Sequence, residues 1–238
     1  MTLSQWFRRI TPQRPVSRRL LCFPHAGGTA QAFHRWTAYM PVDVELVAVA
    51  YPGRLDRLGE PLIRNMRTMV EAVSQAIPKL EPMPTIVFGH SMGASIAHEL
   101  VLRGSAQVDQ LVVSARRPPS HLRVRDVYLR GEVAIMDDVV RLDPESAQIL
   151  AIKELRDLVL PAIAADYELV ATYAGGHRPM IDTPILALGG DSDPEATPDS
   201  LRSWSEATVS NFDTRTFPGG HFYLWEHPRE VITTILDQ

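Results

Sequence analysis

The chain of 238 residues carries a formal net charge of −4, with 45% apolar and 22% charged residues. Such a length suits a single domain of moderate size with a substantial core, and the acidic balance argues against a nucleic-acid-binding surface. One cysteine, Cys22, excludes an internal disulfide framework and fits a reducing, cytoplasmic setting. No apolar run reaches the ~20 residues of a membrane span, and residues 1–16 lack the apolar core of a signal peptide.

Met1–Ser17 reads as an irregular, proline-punctuated lead-in, with Trp6 and Phe7 packed onto the body. Leu20–Phe23 is a short buried strand running into Pro24-His25-Ala26-Gly27-Gly28, a loop whose glycines let backbone N–H groups approach a bound group. A helix is predicted over Gln31–Met40 and a second strand over Glu45–Ala50, ended by the turn residues Tyr51-Pro52-Gly53-Arg54. Met66, Met69, Val70, Val73 and Ile77 mark one face of an amphipathic helix stopped by Pro78. Next comes the strand Thr85–Phe88, then Gly89-His90-Ser91-Met92-Gly93, then a helix-compatible run. A serine on a sharp strand-to-helix turn has its hydroxyl raised above the sheet edge, and the residues two before and two after must be tiny. Gly89 and Gly93 meet that demand, so Ser91 is the candidate nucleophile.

Asp109–Ser114 is another strand, and strands alternating with helices imply a largely parallel sheet. Between Arg116 and Tyr173 no buried strand is legible. Asp143 and Pro144 read as a helix N-cap and first residue. Ile149, Ile152, Leu155 and Val159 mark one helical face, and Ile163, Tyr167 and Val170 another. This stretch, about 118–173, is read as a helical lid inserted into an α/β domain spanning 1–238. The rhythm resumes with the strand Pro184–Leu188 and its loop Gly189–Pro194. A helix starts at Thr197-Pro198, and Phe212–Phe217 forms the last strand, opening into Pro218-Gly219-Gly220-His221. A closing helix from Pro228 turns Val231, Ile232, Ile235 and Leu236 inward.

A serine hydroxyl needs a base within reach, and histidine suits because its pKa lies near working pH. Of eight histidines, His221 stands on a loop after the last strand, at the sheet edge where functional loops gather. His90 is expected to pack sideways and His25 to shape the glycine loop, while His177 and His227 have no strand feeding them. The orienting acid should follow an earlier strand; Asp191 and Asp193 both qualify, and Asp193, fixed before Pro194, is preferred. Oxyanion donors should be the Met92 N–H and a loop N–H, Ala26 ahead of Gly27.

Five stretches occur in order: Phe23–Gly28, Tyr51–Arg54, Gly89–Ala94, Gly190–Pro194 and Pro218–Leu224, with Leu158–Ile163 and Asp166-Tyr167 between the third and the fourth. Together they resemble the type II thioesterases that accompany polyketide synthases and non-ribosomal peptide synthetases. The resemblance implies an α/β-hydrolase fold, a Ser91–Asp193–His221 triad, and an editing hydrolase. Its expected partners are acyl or peptidyl carrier-protein domains, whose phosphopantetheine arm brings the acyl group; no cofactor or metal is implied. Other readings are the same chemistry on free esters or coenzyme A thioesters, acyl transfer to an alcohol or amine, and a non-catalytic binding module. Arg116, Arg117, Arg123, Arg125 and Arg130, at the entry to the lid, could steer an acidic carrier or pair internally with acids such as Asp137 and Asp138.

Overall fold

The computed structural model describes residues 5–104, 107–122, 125–173, 176 and 178–237. Among them seven strands form one sheet: β1 (Phe7–Arg9), β2 (Arg18–Phe23), β3 (Val44–Val49), β4 (Thr85–His90), β5 (Gln110–Ser114), β6 (Ile185–Gly190) and β7 (Phe212–Phe217). Their spatial order is β1-β3-β2-β4-β5-β6-β7. Every pairing from β3 to β7 is parallel, and β1 alone runs antiparallel, Phe7 opposite Val49. The lead-in is therefore not wholly irregular. Phe-Arg-Arg has no strand alternation of its own; Phe7, 1% exposed, is held by the core. Arg9 Nε donates to Glu45 Oε1 at 2.6 Å, and the Ala50 N–H to Trp6 O at 2.8 Å.

Alternation along the strands splits the core into two layers. Leu21, Val47, Val87 and Val113 face α1 (Met66–Ala76) and α2 (Met92–Leu102). Leu20, Leu46, Phe88 and Val112 face the opposite layer, made by Phe33, Trp36 and α8 (Pro228–Leu236). The stretch Ala30–Tyr39 is a 3-10 helix rather than an α-helix. Its buried residues, Ala30, Phe33 and Trp36, recur every third position, which is the 3-10 period. Asn65 caps α1 by accepting the Thr68 N–H, and the chain passes Pro78 in a short 3-10 turn, Ile77–Lys79.

Between β5 and β6 lie α3 (Glu132–Leu142), α4 (Ser146–Ala151) and α5 (Lys153–Thr172). Val127, Ile135, Leu160 and Ile163 give this insertion a small core of its own. Two expectations fail here. Asp143 stands before the helix rather than at its N-cap, and its carboxylate accepts the Glu145 N–H and the Ser146 hydroxyl. The Ile149–Val159 face does not exist, because extended Ile152 separates α4 from α5. Ile149, Ile152 and Leu155 are consequently exposed. α6 (Pro198–Arg202) follows β6, and α7 (Tyr223–Glu226) follows β7. Parallel register brings Phe23, His90, Ser114, Gly190 and Phe217 to one edge of the sheet. The loops that leave that edge build the site.

Candidate active site

Ser91 sits between β4 and α2 with φ 53° and ψ −115°, a conformation that costs a non-glycine residue about 1–3 kcal/mol. Its surroundings enforce it. The Ser91 N–H donates to Ser114 O at 2.8 Å, and the strand and helix approach so closely that side chains at the flanking glycines have no room. A Cβ on Gly89 would lie 2.3 Å from Gly93 O, and one on Gly93 2.1 Å from Phe23 O. Met92 opens α2, where N–H groups have no intrahelical acceptor.

His221 and Asp193 are brought together by the loops after β7 and β6. His221 Nδ1 and Asp193 Oδ2 are 2.9 Å apart, and the two residues are 4% and 2% exposed. Asp193 Oδ1 accepts the Glu195 N–H, so both carboxylate oxygens are engaged and the acid has one orientation. Asp191 is exposed and builds the turn instead, accepting the Gly219 N–H and the Ser192 hydroxyl. Nδ1 being occupied, His221 has Nε2 left for the cavity that it lines with Ser91. No hydrogen bond joins Ser91 Oγ to His221 among the described residues; such contacts commonly tighten only with substrate in place.

Two other histidines pack beside the triad. His90 is buried 5.2 Å from the His221 ring, with Nδ1 bonded to Ser114 Oγ at 2.8 Å, and Ser114 Oγ bonded to Tyr223 Oη at 2.7 Å. Burial, reinforced by the charges of His221 and His25, holds His90 well below its ordinary pKa. His25 is pushed down to about 3 by burial, then by His221 and Arg54. Burial thus resists the proton that a base must take up, and neither ring has a carboxylate partner among the described residues, so neither replaces His221. His227 lies apart, paired with Glu230, and His177 falls outside the described residues.

The Pro24–Gly28 loop lines the same cavity through His25, Ala26 and Gly27. Its Gly27 N–H is committed to Asp166 Oδ2 at 2.7 Å, and its Gly28 N–H to His25 O at 2.9 Å. The Ala26 N–H has no hydrogen-bond partner among the described residues, so Ala26 rather than Gly27 is the donor left for a ligand. The carboxylate of Asp166, on α5, also takes a two-pronged ion pair from Arg54, at 2.8 and 2.9 Å. Sequence reading passed over this link. Arg54 and Asp166 are 112 positions apart, and nothing local in either stretch signals the other.

The cavity measures about 560 Å³, within the range of small-molecule sites. Val127, Val139, Leu150, Val159, Ile163 and Val170 make its apolar wall, all of them from the insertion. Leu158, beside Val159 on the same helix, is exposed. The lining also carries Arg116, Arg117, Arg125 and Arg141 beside Asp138 and Glu195. Arg125 pairs with Asp138 at 2.5 Å and Glu195 at 3.1 Å, which supports internal pairing for that arginine. Arg123 lies outside the described residues. No cluster of potential metal ligands occurs among the described residues, and none of their helices is long and apolar enough to cross a membrane.

A strained serine at a strand-to-helix turn, a buried His–Asp pair from later strands and a parallel sheet define an α/β-hydrolase. The sequence profile of the thioesterase domain matches residues 18–238. The chain is 35% identical over 237 residues to the probable cadicidin biosynthesis thioesterase of Streptomyces griseus, covering 98% of this chain but 66% of that protein. With thioesterase PikA5 of Streptomyces venezuelae it shares 37% identity over 239 residues, 98% of this chain and 84% of the relative. The structure of the type II thioesterase BorB from the borrelidin biosynthetic cluster superposes with a TM-score of 0.91 at 36% identity, covering 100% of this chain and 98% of that one. The chain belongs to the thioesterase family.

Proposed function

We propose that this chain is a serine thioesterase that releases acyl groups from the phosphopantetheine arm of carrier-protein domains in polyketide or non-ribosomal peptide assembly. The observation that carries the reading is the buried 2.9 Å His221–Asp193 pair, on a cavity shared with the strained Ser91. His221 takes the Ser91 proton as Oγ attacks the thioester carbonyl, and Asp193 fixes the imidazole and stabilises its charged form. The N–H groups of Ala26 and Met92 receive the developing oxyanion. The thiolate departs and takes up the proton held by His221, needing little help because a thiol pKa is about 8.5, and His221 is left neutral. Water activated by His221 then frees the acid from acyl-Ser91, restoring the hydroxyl.

Two features support an acyl group on a carrier over a small free ester. The apolar wall from the insertion suits an acyl chain, making these helices a lid over the sheet edge. The relatives named for biosynthetic clusters and the superposition on BorB support the carrier as the source. The test is a panel of acyl groups on holo carrier proteins run beside the matching coenzyme A thioesters and simple esters. The reading requires kcat/KM to be highest on the carrier for a given acyl group. A preference for the free esters would replace it with a general esterase.

A further inference from the structure

Arg54 and Asp166 form a buried ion pair that no step above uses. Arg54 is 9% exposed and Asp166 1%. Burial works against the Arg54 charge, and Asp166 outweighs it, leaving the guanidinium above its ordinary pKa. A buried pair in itself is weak support for stability, so what it touches matters more. Apart from Arg54 Nε, which donates to Pro52 O at 3.4 Å in its own turn, the polar contacts around the pair lead to the Pro24–Gly28 loop. Asp166 Oδ2 accepts the Gly27 N–H at 2.7 Å, and Arg54 Nη1 donates to Gly28 O at 3.1 Å. Tyr51, whose ring lies 5.3 Å under the Arg54 guanidinium, donates its hydroxyl to Pro24 O at 3.2 Å. Gly27 itself has φ +76°, and a Cβ there would lie 2.8 Å from Ile163 Cγ1. Ile163 and Asp166, three positions apart, share one face of α5. One face of that helix therefore seats on the loop twice, by packing and by a charge-assisted hydrogen bond.

We propose that Arg54 and Asp166 are positioning residues for the oxyanion site: by occupying the Gly27 N–H and the Gly28 carbonyl, they set the loop so that the Ala26 N–H is the one presented to the oxyanion. This rests on the serine-thioesterase reading and deepens it. Asp166 belongs to α5 of the insertion, so the donor site is complete only with that helix seated on the loop. The same helix carries part of the apolar acyl wall. Filling of the acyl site and readiness of the oxyanion donor are thus built into one element.

The variants are Asp166→Asn, which leaves Arg54 without a counter-charge, and the double variant Arg54→Met with Asp166→Leu, which replaces the pair by apolar side chains. Exchanging a buried pair for well-packed apolar residues is often neutral for stability, so the double variant separates folding from positioning. Three readouts are needed: kcat and KM on butyryl-pantetheine, affinity for butylboronic acid, and affinity for the S-butyl pantetheine thioether. The boronate forms a tetrahedral adduct with the Ser91 oxygen and places an oxygen in the donor site; the thioether has no carbonyl. A folded double variant should lose about 10²–10³ in kcat, the scale of one lost oxyanion donor, with KM nearly unchanged. Boronate affinity should fall alongside kcat, and thioether affinity should hold. Asp166→Asn should show the same split if it folds. Recovery of wild-type kcat in the double variant overturns the inference and makes the pair structural. Equal losses for boronate and thioether overturn it too, since the whole pocket would then be deformed. Hydrolysis by Ser91→Ala would instead overturn the parent reading.

Discussion

Asp193 and Asp191 stand two residues apart in one loop, and only Asp193 touches a histidine. Asp193→Asn should keep the fold and lower kcat by about 10⁴, through loss of the orienting acid. Asp191→Asn should cost far less, because an exposed turn carboxylate is replaced by another turn former. Steady-state kinetics of the two variants check the order, and a reversed ranking would move the acid to Asp191. The buried histidines carry a separate consequence. His25 is held at about 3 and His98 at about 4, both by burial first, against an ordinary 6.5. Between those limits the unfolded chain binds protons that the folded chain refuses, so stability rises with pH and is lost on acidification from about 6.5. Each such histidine contributes a slope of about 1.4 kcal/mol per pH unit. Neither ring nitrogen of His98 has a partner among the described residues, and the ring packs edge-on against Trp204 at 5.2 Å. His98→Phe should therefore flatten the pH dependence of urea unfolding between pH 6 and 4.5 by about one proton's worth. An unchanged slope would mean that His98 is protonated in the folded state.

The inserted helices α3 to α5 supply much of the apolar lining of the cavity, which the proposed function makes the acyl site. Val139 and Val170 project into the cavity from α3 and α5. Val170→Phe should shift kcat/KM toward shorter acyl chains while a small fluorophosphonate still labels the site at its usual rate. An unchanged chain-length profile would reduce these helices to core packing. Sequence reading reached this element only in part. The elbow and Asp193 were legible because each follows a buried strand whose apolar run is local, and His221 because it stands on the Pro218-Gly219-Gly220 turn that ends the last, largely uncovered strand. The face through Ile163, Tyr167 and Val170 was legible because it lies on one unbroken helix. The face through Ile149 and Val159 was misread, since only tertiary structure breaks the chain at Ile152. β1 escaped for a like reason: Phe-Arg-Arg becomes a strand only by pairing with β3. The Arg54–Asp166 link lay in two stretches already singled out, yet a pairing over 112 positions has no signature in either.

At the scale of the molecule, the proposed function has a carrier deliver its arm to Ser91 past the insertion, and the structure divides the arginines there. Arg125 is tied to Asp138 and Glu195 in the cavity wall, so Arg125→Glu should slow acyl-pantetheine and acyl-carrier substrates alike. Arg130 is 60% exposed, with a 3.6 Å partner in exposed Asp126, a pair worth little in water. If it steers an acidic carrier, Arg130→Glu should lower kcat/KM on the carrier substrate in a salt-sensitive manner and spare acyl-pantetheine. Equal effects on both substrates would place docking elsewhere. The central claim is that one serine carries the acyl group between carrier and water. Its most direct test is rapid mixing with acyl-loaded carrier protein, acid quench, and mass measurement of the intact enzyme and its peptides. The account predicts a transient adduct with the mass of the acyl group, confined to the peptide bearing Ser91, and no adduct or hydrolysis in Ser91→Ala. Hydrolysis that persists in Ser91→Ala, or an adduct mapped to another residue, would contradict it.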